Sequence, residues 1–247
     1  MIADLPGEIE VSPTPENLAR SVAERLVRTL VRIQGEGGVP SVVLTGGTIA
    51  EAVHRAVLEI PGQAEVDWSR VEVWFGDERF VPADDPQRNA LQARDALLAA
   101  VPVEAARVHE MPASDGPCGD DVDAAASAYA GELRRVLGPA PRFDVLMLGV
   151  GPDGHCASLF PHHEAVQAPG LVVAVRDSPK PPPTRISLTM ELLGQADEVW
   201  FFASGGGKAQ AVHDALTSDD VDAVPASGPK GRQRTLWLLD AEAASKL

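Results

Sequence analysis

The chain has 247 residues, of which 45% are hydrophobic and 23% are charged, and its formal net charge is -15 at pH 7. This composition allows a packed core and excludes wholesale disorder, and so strong a negative charge argues against nucleic-acid binding, which needs clustered lysine and arginine. The two cysteines, Cys118 and Cys156, predict no disulfide framework and agree with a reducing compartment.

Neither export nor membrane insertion is predicted. The first residues, MIADLPGEIEV, contain no basic segment followed by an apolar one, so we expect no signal peptide. No apolar run approaches the roughly 18 residues that a membrane span requires. Together with the composition, these features predict a cytoplasmic protein with no membrane partner.

Helical and strand-like segments alternate from the start of the chain. Residues 15–34 have apolar side chains at helical spacing, with Thr14 as a candidate N-cap and Pro15 at the first helical position. The apolar run VPSVVLTGG, residues 39–47, predicts a buried strand that ends in a glycine turn. Residues 48–60 then return to a helical pattern.

The same alternation continues to the end of the chain. Residues 70–80 predict a strand that runs into a loop. The later segments comprise predicted helices at 89–101, 123–138 and 206–217, predicted strands at 143–151, 171–175, 198–204 and 234–239, and predicted loops at 113–121 and 178–185. We therefore expect one α/β domain over residues 1–247, with three αβα layers and a mostly parallel, Rossmann-like sheet covered by helices on both faces.

Glycine-containing turns follow four of the predicted strands, at residues 46–47, 76–79, 149–155 and 205–208. In sheets of this kind, ligands bind beyond the carboxyl ends of the strands. The polar residues of these four turns are therefore expected to meet in one site.

Several of these residues are suited to binding an anion. Gly46, Gly47 and Thr48 begin a predicted helix, where free amides and the helix dipole favour an anion, although an ordinary strand–helix turn is an equal alternative. Lys208 begins another helix, without the spacing or the Ser/Thr of a P-loop, so a nucleoside triphosphate is not expected. Arg185 lies on a proline-rich loop, which would hold it in place as an anion clamp.

Asp77, Glu78 and Arg79 form a charged cluster directly after a predicted strand. A solvated charge run is the simple explanation, but the convergence of strand ends at one edge favours a site. We therefore take Asp77 as a candidate catalytic carboxylate. Glu78 and Arg79 are candidates for holding the substrate or the other charged groups.

The segment GVGPDGHCASLFPHH, residues 149–163, allows four interpretations. Its G-x-G-x-x-G pattern suggests a dinucleotide site, but Pro152 and Asp153 stand where a pyrophosphate needs free amides and no negative charge. A metal site would use His155, His162, His163, Asp153 and Glu164, but no histidine pair has i, i+4 spacing. A Cys156 nucleophile would need a base other than its sequence neighbour, so a packing role is favoured.

The fourth interpretation makes His155 a general base or acid, with Asp153 orienting its ring. Histidine titrates near neutral pH, so it can take a proton and return it. A structural histidine that satisfies loop backbone groups is an equal alternative from the sequence alone. Together, the histidine, the carboxylates and the cations on separate loops indicate proton-transfer chemistry on a small phosphorylated molecule.

Five segments resemble, in order and spacing, the motifs of the 6-phosphogluconolactonase family. They are LTGGT, FGDERFVPADDPQRNA, FDVLMLGVGPDGHCASLFP, SPKPPPTRISLT and GGGKAQAV. The resemblance spans nearly the whole chain. Glucosamine-6-phosphate deaminases share the fold and the DGH loop, but they continue toward FNEP rather than SLFP and carry DEY rather than DER.

The resemblance implies hydrolysis of 6-phospho-D-glucono-1,5-lactone to 6-phosphogluconate, the second step of the oxidative pentose phosphate pathway, with no metal or organic cofactor. It implies that His155 activates water with the help of Asp153. It also implies a functional link to glucose-6-phosphate dehydrogenase. Two alternatives stay open: a deaminase or isomerase of the same fold, and a non-catalytic phosphosugar-binding protein. The residues expected around the phosphate and the oxyanion are Gly46, Gly47, Thr48, Arg79, Arg185 and Lys208, with Asp77 and Glu78 beside them.

Overall fold

A computed structural model describes residues 7–247. Residues 1–6, part of the segment in which no signal peptide is expected, lie outside the described residues. The strands are β1 (Glu8–Ser12), β2 (Ser41–Leu44), β3 (Glu72–Phe75), β4 (Asp77–Arg79), β5 (Phe143–Gly149), β6 (Val172–Val175), β7 (Arg185–Leu188), β8 (Ala196–Ala203) and β9 (Arg234–Asp240). The α-helices are α1 (Pro15–Gly35), α2 (Thr48–Val57), α3 (Asn89–Ala93), α4 (Val122–Leu137), α5 (Met190–Leu193) and α6 (Ala209–Thr217).

Two sheets organise the described part of the chain. The larger has six strands in the order β1-β9-β8-β5-β2-β3, and all neighbouring strands are parallel. The chain continues from β2 to β3 on one side of β2, whereas β5 pairs with β2 on its other side. The carboxyl ends of β2 and β5 therefore form the topological switch point, where ligands bind in such folds. The smaller sheet is antiparallel, with the order β4-β7-β6.

Side chains of the large sheet alternate between two cores. On β8, Trp200 and Phe202 pack with helices α1, α2 and α3, whereas Val199 and Phe201 pack with α4, α6 and the small sheet. The predicted α/β fold with a mostly parallel sheet and a layer on each face is therefore confirmed. That residues 1–247 form one domain stays a prediction.

The structure corrects four details of the predicted elements. Residues 8–12, for which no strand was expected, pair with β9 as the edge strand β1. The charged cluster after β3 is not a loop but strand β4, and Arg185 is not on the loop but begins β7. The helix expected at 89–101 is α-helical only to Ala93 and continues as a π-helical turn over Arg94–Leu98.

The predicted cap of the first helix is confirmed. The side chain of Thr14 accepts a hydrogen bond from the amide of Asn17 at 3.2 Å, and Pro15 occupies the first helical position. Within residues 7–247, no helix combines the length and the apolar character that crossing a membrane would need.

Candidate active site

A pocket of about 230 Å³ opens at the switch point, between the carboxyl ends of the parallel strands and the small sheet. The four glycine-containing turns do converge here, as the strand-end argument predicts. Most of the predicted site residues line the pocket: Gly46, Gly47, Asp77, Arg79, His155, Arg185 and Lys208.

His155 and Asp153 form a hydrogen-bonded pair on the loop after β5. The Nδ1 atom of His155 lies 2.5 Å from Oδ1 of Asp153. Burial raises the pKa of Asp153, but hydrogen bonds and charge from His155 and Lys180 outweigh it and hold that pKa well below its usual range. An ionised carboxylate only accepts hydrogen bonds, so Nδ1 carries the proton and Nε2 is left to accept one.

The backbone of the same loop holds this pair in place. The amide of Gly151 donates to the carbonyl oxygen of His155 at 2.8 Å, and the amide of Gly154 donates to that of Gly151 at 3.0 Å. A Cβ atom on Gly151 would lie 1.9 Å from Nδ1 of His155 and 2.4 Å from Oδ1 of Asp153. Only glycine therefore fits at position 151 while the pair keeps its geometry.

The small sheet brings two arginines together at the pocket. Arg79 on β4 and Arg185 on β7 occupy directly opposite positions in the antiparallel ladder, where like charges are unfavourable. Burial lowers the pKa of Arg185, and the charge of Arg79 lowers it further, although Asp77 opposes the shift. Two cations held this close indicate a place for an anion.

Neutral groups, rather than carboxylates, hold these two guanidinium groups. Arg185 donates to the carbonyl oxygens of Pro181 and Pro182, each at 3.1 Å, and more weakly to Oγ of Ser158 at 3.4 Å. Arg79 donates to the side-chain oxygen of Asn89 at 2.8 Å. In the described chain, neither guanidinium has a hydrogen bond to a carboxylate, so their charge remains available to a bound anion.

Lys208 adds a third cation from the turn after β8. Burial lowers its pKa, and the charge of Lys180 lowers it further. The turn itself is held by Asp240, whose carboxylate accepts from the amide of Gly205 at 3.0 Å. Gly205 has a φ of +89°, a conformation that favours glycine.

The glycine turn after β2 completes the opposite wall. A Cβ atom on Gly46 would lie 1.8 Å from Oδ1 of Asn89, so this position also requires glycine. Gly47 precedes α2 with a φ of +102°. Thr48 faces a second, neighbouring pocket of about 600 Å³ rather than the one that contains His155.

Two predicted acidic residues have different surroundings. Glu78 does not reach the pocket: it is fully buried, and its carboxylate accepts from the amides of Arg79, Asn89 and Ala90. It therefore fixes the beginning of α3. Asp77 does line the pocket, where it accepts from Oγ of Ser158 at 2.6 Å.

Sequence reasoning missed three contributors to this site. Asn89 links Asp77 to Arg79, and Ser158 links Asp77 to Arg185. Lys180 lines the pocket and has its Nζ 3.1 Å from Oδ1 of Asp153. For Lys180 a sequence signal was available, because the proline-rich loop that drew attention to Arg185 contains this lysine as well.

The other interpretations of residues 149–163 fit the geometry less well. Cys156 is fully buried, its Sγ lies 3.6 Å from the carbonyl oxygen of Pro225, and burial raises the pKa of its thiol. His162 contacts Asp222, and His163 caps a 3-10 turn, both away from the pocket. Among residues 7–247, no group of three or more His, Cys, Asp or Glu side chains is arranged to hold a metal ion.

Known proteins resemble this chain in both sequence and fold. The sequence model for glucosamine-6-phosphate isomerases/6-phosphogluconolactonase matches residues 13–237. A 6-phosphogluconolactonase of Streptomyces coelicolor is 49% identical, covering 100% of this chain and 96% of its own length. One of Mycobacterium tuberculosis is 47% identical and covers 98% of both chains.

A solved structure of 6-phosphogluconolactonase from Trypanosoma brucei superimposes with a TM-score of 0.84 at 27% identity, covering 99% of this chain and 100% of that one. The sequence resemblance is therefore confirmed over the full length of the fold. The chain belongs to the glucosamine-6-phosphate isomerase/6-phosphogluconolactonase family.

Proposed function

We propose that this protein hydrolyses 6-phospho-D-glucono-1,5-lactone to 6-phosphogluconate. The observation that carries the proposal is the His155–Asp153 pair facing a pocket ringed by cations in a chain whose net charge is -15. A base that can take and return a proton, next to an anion site, is what hydrolysis of a phosphorylated lactone requires. The full-length similarity to 6-phosphogluconolactonases supports the same activity.

In the proposed mechanism, Nε2 of His155 takes a proton from a water molecule as its oxygen attacks the lactone carbonyl carbon. The carbonyl oxygen becomes an oxyanion, which the cations of the pocket stabilise. The bond between that carbon and the ring oxygen then breaks. The imidazolium returns its proton to the departing ring oxygen, and Asp153 keeps the ring oriented in both steps.

Arg79, Arg185 and Lys208 share two tasks in this proposal: binding the phosphate and stabilising the oxyanion. The amides at Gly46 and Gly47 add donors at the start of α2. Asp77 is held by Ser158 and Asn89, so we assign it to positioning Arg185 and the sugar hydroxyls rather than to proton transfer. Glu78 supports the site from the core without contact to the substrate.

The reaction proposed here needs only water, an imidazole and fixed cations, so we propose no metal or organic cofactor. We place the enzyme in the cytoplasm, in a functional link with glucose-6-phosphate dehydrogenase through the shared lactone. Residues 1–247 act as one catalytic domain in this proposal.

Turnover of freshly prepared 6-phosphogluconolactone tests the proposal. We expect hydrolysis well above the spontaneous rate, followed as acid release at constant pH. Glucosamine 6-phosphate serves as the competing substrate, and its conversion with release of ammonia would instead identify a deaminase. If neither substrate is turned over but both bind, the protein is a phosphosugar-binding protein and the lactonase proposal is wrong.

A further inference from the structure

Lys180 is the one cation at the pocket that contacts the catalytic pair directly, within the described chain. It lies on the proline-rich loop between β6 and β7, and its side chain crosses to the loop after β5. Its Nζ is 3.1 Å from Oδ1 of Asp153 and 3.1 Å from Nδ1 of His155. The mechanism proposed above gives this residue no role.

The three groups have only one consistent hydrogen-bond arrangement. Lysine ammonium only donates, and Nδ1 of His155 donates to Asp153. Lys180 therefore also donates to Oδ1 of Asp153, and its approach to Nδ1 is a contact between two donors rather than a hydrogen bond. One carboxylate oxygen thus holds both the base and the lysine.

The surroundings fix Lys180 in this position. Its backbone amide donates to Oγ of Ser178 at 3.3 Å, and its carbonyl oxygen accepts from Ser178 at 3.0 Å and from Arg185 at 3.2 Å. Its Nζ lies 5.9 Å from the centroid of the buried Phe160 ring, which also packs 4.6 Å from the ring of His155. Lys180 and His155 therefore pack against the same buried ring, that of Phe160.

We propose that Lys180 is a positioning residue for the base. It holds the Asp153 carboxylate against Nδ1 and makes the resting Lys–Asp–His cluster electrically neutral, so that a neutral imidazole with a free Nε2 is the resting form. Without Lys180, the remaining pair is negative and favours the imidazolium, which is inactive as a base and a weaker acid for the ring oxygen. This inference rests on the proposed role of His155.

Other charges face the same pocket and have to be held constant in a test. They are Asp77 and Arg79 on β4, Arg185 on β7 and Lys208 before α6. Among the described residues, none of these four side chains forms a hydrogen bond to Nζ of Lys180; Arg185 donates to the backbone carbonyl oxygen of Lys180 instead. Replacing Lys180 by the unbranched Met therefore removes one charge and leaves the rest of the cluster in place.

The test compares Lys180→Met with Lys180→Arg, which keeps the charge, and with Lys230→Met, which removes an exposed lysine elsewhere. We expect Lys180→Met to lower kcat by roughly 10- to 100-fold, and equally for 6-phosphogluconolactone and unphosphorylated gluconolactone. Lys180→Arg should restore much of kcat, and Lys230→Met should match the wild type.

Nitrogen-15 NMR of the His155 ring gives a readout that does not depend on turnover. In Lys180→Met, the imidazolium signal should persist to about one pH unit higher than in the wild type. An unchanged NMR titration would overturn the inference. So would a loss confined to the phosphorylated lactone, because that result would make Lys180 part of the anion clamp. Failure of the wild type to turn over either lactone would contradict the proposed function instead.

Discussion

The two sheets of this protein make different contributions to the site. The large parallel sheet has strands buried on both faces, such as β2, all four of whose residues are buried, and the loop after its central strand β5 presents His155 and Asp153. The small antiparallel sheet has strands of three or four residues and presents Arg79 and Arg185. In the proposed mechanism, proton transfer thus depends on the large sheet and anion recognition mainly on the small one.

The difference shows how the pairing of strands brings particular side chains together at the pocket. In the small sheet, the pairing of Arg79 with Arg185 across the ladder places two cations side by side, an arrangement that a bound anion would stabilise. In the large sheet, the parallel arrangement brings strand ends and their turns to one edge. Lys208 is the exception to this division, because it is a cation that follows β8 of the large sheet.

The largest effect should come from removing the base that the large sheet positions. His155→Asn should lower kcat by about 10²- to 10⁴-fold, since that is the usual contribution of general-base assistance. The loss should be the same for phosphorylated and unphosphorylated lactone, because the anion site is untouched. Thermal unfolding serves as the control, and near-normal turnover by a folded His155→Asn protein would rule out this base.

The next largest effect should come from the small sheet and should depend on the substrate. A hydrogen bond to a charged group contributes about 1.5–3 kcal/mol, so Arg185→Ala should lower kcat/KM for 6-phosphogluconolactone by about 10- to 150-fold. Hydrolysis of unphosphorylated gluconolactone should change much less. Arg79→Ala and Lys208→Ala are expected to show the same selectivity.

The two-substrate comparison controls for general damage to the pocket, since a distorted pocket would harm both reactions alike. Equal losses for both lactones in all three variants would mean that none of these cations recognises the phosphate. The division of tasks between the two sheets would then have to be abandoned. Selectivity in Lys208→Ala alone would move the phosphate site to the large sheet.

The sequence predicts five of the six strands of the large sheet because these are largely apolar runs, whereas the edge strand β1, which alternates acidic and apolar residues, was missed. Of the small sheet it predicts only β6 as a strand, because a three-residue strand such as Asp77–Arg79 has no measurable periodicity and pairs with residues more than a hundred positions away. Side chains alternate along a strand, and this is why Asp77 and Arg79 face the pocket while Glu78, expected beside them, points into the core.

Lys180 was missed for a related reason. A run of prolines predicts that a loop is stiff, but it does not predict the direction in which a side chain of that loop points. The contact with Asp153 depends on two loops that are 27 positions apart in sequence. The His155–Asp153 pair was predictable because both residues lie on one short turn.

A smaller catalytic effect is expected from changing the shape of the loop after β5 without removing any functional group. Gly151→Ala would place a methyl group against the ring of His155 and the carboxylate of Asp153, and a misplacement of this size typically costs up to about 100-fold in rate. The matched control is Gly131→Ala on the exposed face of α4, where an added Cβ meets nothing within 4 Å. The control should keep full activity and gain up to about 1 kcal/mol in stability. Equal activities of the two variants would show that the loop tolerates the displacement.

The last prediction concerns a histidine that supports the large sheet and should have no effect on catalysis. His54 on α2 is buried in the core shared with α1, and neither of its ring nitrogens has a hydrogen-bond partner among residues 7–247. Burial lowers the pKa of His54 from 6.5 to about 4, although Glu51 opposes the shift. The imidazole is therefore neutral in the folded protein at neutral pH.

This shift makes the stability of the large-sheet region sensitive to acid. Above pH 6.5 His54 is neutral in both the folded and the unfolded chain. Between pH 6.5 and about 4, only the unfolded chain takes up the proton, so the free energy of unfolding falls by about 3 kcal/mol as the pH decreases. His54→Leu should remove this contribution and should stabilise the protein at pH 7 as well, because two unpaired polar atoms leave the core.

Urea unfolding of the wild type and of His54→Leu at pH 7, 6, 5 and 4 measures the difference. His213→Gln, on the half-exposed side of α6, controls for the removal of a histidine as such. Activity at pH 7 should be the same in all three proteins, because His54 and the catalytic loop belong to different cores on opposite faces of the sheet. If the stability difference between His54→Leu and the wild type does not grow as the pH falls, His54 is not held neutral by burial. A change in kcat would instead mean that packing around α2 affects the position of His155. The residues that support the large sheet could then not be separated from those that carry out the reaction.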